Sequence, residues 1–127
     1  MKQFRADLNQ LHLMLSWIRS QLSGFPDQTL MKIELACEEA IVNIISHAKT
    51  ESLEIEVQVV PKSHAAITFA DAGPPFNPLE QADPDLSLSL EERQPGGLGL
   101  FLIRQNMDEL SYARKENRNH FTMIKKV

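Results

Sequence analysis

The spacing of apolar residues changes abruptly near residue 50. Leu30, Ile33, Ala36, Ala40, Ile41, Ile44, Ile45 and Ala48 fill one broad face at the 3.6-residue period of an α-helix. From Leu53 the period becomes two, with Leu53, Ile55, Val57 and Val59 alternating against Glu54, Glu56 and Gln58 until Pro61. Neither pattern fits the other's geometry, so the chain must build a helical layer and a pleated layer that bury against each other. "HAAITFAD" then reads as the hairpin partner of the first strand, with Ile67, Phe69 and Asp71 on one face. An acid therefore ends a strand on the side where its neighbours bury.

Other stretches fit the same plan. Leu8, Leu11, Leu15, Ile18 and Leu22 form a first helical stripe, closed off by "SGFPD". Asp27 or Thr29 can cap the second helix. "GGLGLFLIRQNMDEL" runs from glycines into a third, with Leu100, Ile103 and Met107 at helical spacing. Two closing strands, "ELSYAR" and "HFTMIKKV", are joined by the polar turn "KENRN". The expected class is α+β: a two-layer sandwich whose mixed, mostly antiparallel sheet is covered by helices on one face. No internal repeat appears, and residues 1–127 read as a single domain. The aperiodic stretch at about 77–95 is expected to form a lid, because so long a loop in a compact domain is usually functional.

Composition narrows the function. The chain is 127 residues long, 43% hydrophobic and 24% charged, with a formal net charge of −4 and no basic stripe. Direct nucleic-acid binding is not expected, since it leaves a clustered positive footprint. Cys37 is the single cysteine, which rules out an intrachain disulfide and a multi-cysteine metal site. "MKQFRADLNQ" has no apolar h-region and no run reaches the length of a membrane span, so a cytoplasmic protein without a membrane partner is expected.

Three stretches can carry chemistry, and each has an ordinary alternative. Glu39, Asn43 and His47 are spaced four apart, along one side of the second helix. They are either a solvated helix edge or a polar line facing a pocket, with Asn43 offering an oxygen to Mg²⁺ and Glu39 accepting a proton. "DAGPPF" is either a plain turn, with Asp71 accepting from its own backbone, or an acceptor for the exocyclic amine of a purine. On the second view Gly73 lets the backbone approach the ring. "PGGLGLFLIR" is either a hinge or a phosphate cradle, in which backbone N–H groups freed by Gly96, Gly97 and Gly99 meet anionic oxygens at a helix N-terminus. It is neither a P-loop, for want of a following Lys-Ser/Thr, nor the dinucleotide fingerprint.

The order of these motifs resembles the GHKL ATP-binding fold, also called the Bergerat fold, from about residue 8 onward. "ACEEAIVNIISHA", "DAGPPFNP" and "GGLGLFLIRQNMDEL" look most like the anti-sigma factor serine/threonine kinases of the RsbW type. The resemblance implies that Glu39 is the catalytic base and that Asn43 is the Mg²⁺ ligand. It implies that Asp71 binds the adenine amine. His47, Gly73, Gly97, Leu98, Gly99 and Leu100 would line the nucleotide, and Thr122 would touch the adenine side. It further implies ATP and Mg²⁺ as cofactors, a STAS-type anti-sigma factor antagonist and a sigma factor as partners, and a homodimer.

Other functions remain open at this point. One is a catalytically silent anti-sigma or scaffold protein, against which the presence of both Glu39 and Asn43 argues. Another is a plain ATP hydrolase using the same base on water. The ATP-binding half of a histidine kinase would need a dimerisation helix carrying a phospho-accepting His, and no room is read for one ahead of the first helix.

Overall fold

The computed structural model describes residues 1–80 and 97–127. The expected lid lies, from residue 81 on, outside the described residues, as does Gly96. The described elements are β1 (Lys2–Arg5), α1 (Leu11–Ser20), α2 (Asp27–His47), β2 (Ser52–Val60), β3 (His64–Asp71), α3 (Gly97–Asn106), β4 (Glu109–Lys115) and β5 (Arg118–Lys126).

The strands form one sheet in the order β1-β2-β3-β5-β4. All of its pairings are antiparallel, the limiting case of the expected mostly antiparallel sheet. Period two decides which side chains bury. Leu53 and Ile55 of β2, Ile67 and Phe69 of β3, and Phe121 and Met123 of β5 join Met14, Ile18, Ile33, Ala40 and Ile41 from the helices in one core. Thr68 and Thr122 project from the opposite side of the sheet, paired in register, with their hydroxyl oxygens 2.9 Å apart.

The amino-terminal strand has no sequence signature. In "KQFR" only Phe4 is apolar; its ring meets Trp17 of α1 edge-on, 6.1 Å between centroids, and pairing with β2 places it in the core. The first helical stripe is shifted from expectation. Leu8 is 51% exposed in a 3-10 turn, where Asp7 accepts from the Asn9 N–H, and Met14 takes the buried position instead. In α2 the apolar face buries as its spacing predicts, from Leu30 to Ile44. Cys37 lies inside that face, where burial pushes its thiol pKa far up and leaves it a packing residue.

Two tight turns fix the registers. Lys62 in the β2–β3 hairpin has φ 61°, while Glu116 and Asn117 between β4 and β5 have φ 53° and 61°. Two consecutive positive φ values make a two-residue turn of the kind whose twist suits a hairpin. Lys115 and Arg118 therefore face each other, and Asn119 belongs to β5 rather than to the expected turn.

Candidate functional site

The second half of α2 carries Glu39, Asn43 and His47 on successive turns. Asn43 is buried, Glu39 is half-buried and His47 is exposed, with its ring stacked on Phe76 at 5.7 Å. Glu39, Val42, Asn43, Ser46 and His47, together with Gly99 of α3, line a cleft of about 420 Å³. The polar line thus faces a cavity that a second helix closes. Burial, and then the neighbouring Glu38 carboxylate, raise the pKa of Glu39 above the ordinary glutamate range.

Gly99 of α3 lies against that carboxylate. A Cβ there would lie 3.2 Å from Glu39 Oε2, tighter than most carbon contacts. Gly97 and Leu98 belong to the first turn of this ten-residue helix, so backbone N–H groups without an intrahelical partner lie beside the cleft. Leu100 is wholly buried, which restricts any contact with a ligand there to its backbone.

At the end of β3 the chain enters "DAGPPF" with Asp71 only 2% exposed. Asp71 Oδ1 accepts from the Gly73 N–H at 2.8 Å and from Asn119 Nδ2 at 3.0 Å. Both ordinary and functional readings of this acid therefore have a footing, since one oxygen serves the turn. Among the described residues no group donates to Oδ2. Gly73 is tightly confined, because a Cβ would come within 2.3 Å of the Ala48 carbonyl oxygen at the end of α2. The Arg114 guanidinium donates to the Gly73 carbonyl at 2.7 Å from the edge strand.

Asn119 is the residue that sequence reasoning missed. It sits opposite Asp71 in the β3–β5 register and is 3% exposed. Its Nδ2 donates to Asp71 and to the Pro74 carbonyl at 2.9 Å, while its Oδ1 accepts from the Phe76 N–H at 3.1 Å and the Tyr112 hydroxyl at 2.5 Å. The available signal was the turn: a two-residue Glu-Asn loop would have put Asn119 in the strand, on the face of Phe121. Thr122 is three residues further along and so points to the other side of the sheet. The structure brings Glu39, Asn43, His47 and Gly99 together, and sets Asp71 and Gly73 against the end of the same helix. It does not bring Thr122 to them.

A metal would find few ligands here. Among the described residues no three His, Cys, Asp or Glu side chains cluster as a metal cage. Mg²⁺ keeps most of its waters and takes phosphate oxygens, so one amide oxygen from Asn43 in the cleft suits it.

Comparisons with known proteins agree with this fold. A family model described as histidine kinase-like ATPase domain matches residues 4–125. The chain is similar to the serine/threonine-protein kinase BtrW of Bordetella bronchiseptica, at 35% identity over 94 residues that span 72% of this chain and 66% of that protein. It is also similar to the serine-protein kinase RsbW of Bacillus subtilis, at 29% identity across 91% of this chain and 84% of that protein. The histidine kinase AdeS of Acinetobacter baumannii shares the fold, with a TM-score of 0.54 at 16% identity over 99% of this chain and 68% of that one. Among the described residues no helix is long and apolar enough to cross a membrane.

Proposed function

The chain belongs to the family of histidine kinase-like ATPase domains, and on that premise we propose that it is an ATP-dependent protein serine/threonine kinase acting on an anti-sigma factor antagonist. The observation that carries the reading is the placing of Glu39 and Asn43 on the α2 wall of one cleft, with the carboxylate pKa raised and the first turn of α3 against it. A base with a raised pKa is better matched to accepting a hydroxyl proton near neutrality.

In the proposed reaction the serine oxygen bonds to the γ-phosphorus, the bond to the β–γ bridging oxygen breaks, and ADP leaves. The hydroxyl proton passes to a carboxylate oxygen of Glu39. Asn43 would hold Mg²⁺ through its side-chain oxygen, and the ion supplies positive charge against the phosphates. The N–H groups of Gly97, Leu98, Gly99 and Leu100 would meet phosphate oxygens at the positive end of α3. Asp71 Oδ2 would accept from the adenine amine, with the Gly73 N–H holding the other carboxylate oxygen and His47 bordering the nucleotide. The names of the relatives support serine kinase activity. The resemblance of the sequence motifs is what suggests a partner-switching role, in which a homodimer in the cytoplasm would sequester a sigma factor and release it according to the state of the antagonist.

The test is incubation with γ-labelled ATP and purified candidate antagonists. Label on an antagonist serine with wild-type protein, lost in Glu39→Ala while ATP still binds, supports the proposal. Bound ATP with no transfer to any acceptor, including water, overturns the kinase reading.

A further inference from the structure

Asn119 makes every hydrogen bond that a side-chain amide can make, two given and two received. Its orientation is fixed by its neighbours, because the Pro74 carbonyl can only accept and the Phe76 N–H can only donate. No other side chain of this length offers two donors and two acceptors from one planar group. A carboxylate here would face Asp71 with like charge, and an apolar residue would leave the Phe76 N–H and the Pro74 carbonyl without partners.

This clamp determines what the site can offer a ligand. Asn119 and the Gly73 N–H both donate to Oδ1 of Asp71, so the carboxylate cannot rotate without breaking two charge-assisted bonds. Its other oxygen is left with lone pairs and no described donor. The clamp also engages the Pro74 carbonyl and the Phe76 N–H, two backbone groups of the loop that are thereby withheld from a ligand edge. Tyr112, on the edge strand, holds the amide from behind.

We infer that Asn119, backed by Tyr112, is the positioning residue that makes the site choose a 6-amino purine over a 6-oxo purine. The inference rests on the proposed role of Asp71 as the purine acceptor. An amine donates to the free oxygen; a keto oxygen at the same place meets its lone pairs. Without the clamp Asp71 can turn, and the distinction is lost.

The experiment measures the affinities of ATP and inosine triphosphate by calorimetry for wild type, Asn119→Leu and Tyr112→Phe, each checked for folding by circular dichroism. Wild type should favour ATP by roughly tenfold or more, the value of one hydrogen bond to a charged group. In Asn119→Leu the ATP affinity should fall by about that factor while inosine triphosphate changes little, so that the ratio collapses. Tyr112→Phe, which removes one bond at the half-buried edge, should lower the ratio in the same direction by about threefold. A ratio that stays at the wild-type value in Asn119→Leu, whether both affinities hold or both fall together, overturns the inference and leaves Asn119 a structural residue. If Asn119→Leu does not fold, an unchanged ratio in Tyr112→Phe overturns it. Equal binding of the two nucleotides by wild type removes the role of Asp71, and this inference with it, while leaving the kinase reading intact. Binding of neither overturns the proposed function as well.

Discussion

Glu39 and Gly99 touch across the seam between α2 and α3, with the carboxylate only 3.2 Å from where a Cβ on Gly99 would stand. The glycine belongs to the first turn of α3, where an alanine would favour the helix. Gly99→Ala should therefore leave the thermal midpoint unchanged or slightly raised, since only the tip of a flexible side chain must shift. Phosphoryl transfer should still slow by about tenfold, less than the ~10²-fold expected of a full ångström of misplacement. Paired melting curves and single-turnover assays check both halves.

The raised pKa of Glu39 has two consequences of opposite sign. As a base it works only when ionised, so the acidic limb of the transfer rate should lie above the ordinary glutamate value of about 4.3. For stability, the folded state holds this proton more tightly than the unfolded state does. The stabilising contribution is complete below the unfolded pKa and is lost as pH rises through the folded one. Glu39→Gln should accordingly raise the thermal midpoint at pH 7, with the gain vanishing at pH 4 or below, while transfer is lost. A midpoint difference that does not depend on pH would count against this assignment.

Glu39→Ala and Asn43→Ala should separate chemistry from metal binding. The first should leave Mg²⁺-ATP bound and slow transfer by roughly 10²–10⁴-fold, the usual cost of a lost general base. The second should weaken nucleotide affinity only when Mg²⁺ is present. Titrations with and without chelator distinguish the two patterns.

Asp71→Asn should weaken ATP binding by roughly 1.5–3 kcal/mol, because an amide N–H₂ would then face the adenine amine. Inosine triphosphate should be spared or favoured. Calorimetry showing wild-type affinity for ATP would remove Asp71 from the site.

Gly73→Ala should destabilise the fold by about 1–3 kcal/mol, the range for an inserted methyl in a packed region. The methyl would meet the Ala48 carbonyl oxygen, a backbone atom that cannot step aside. A shifted denaturant midpoint with an unchanged slope is the expected signature.

Much of this was legible in sequence because period and burial agree. The α2 face, the β2–β3 hairpin and the start of α3 all follow the apolar spacing. β1 was not legible, since four residues with one apolar member hold no period and the strand exists through pairing and the Phe4–Trp17 contact. Leu8 misled because a helical spacing can extend into a 3-10 turn that is not part of the helix. Asn119 was hidden by its type: polar residues next to a turn read as turn, and only the register reveals one buried against Asp71. The i, i+4 polar line was visible from the start, but whether it met solvent or a cleft depended on α3, more than fifty residues away.

β5 lies between β3 and β4 in the sheet, although every other described element precedes it in the chain. During synthesis β3 must wait with an open edge until this strand leaves the ribosome, because β4 has no neighbour in the sheet other than β5. The same strand delivers Asn119 to Asp71. A nascent chain can therefore acquire its Glu39 helix and its β2–β3 hairpin early, yet remain without a finished purine pocket until the strand that closes the sheet has been translated.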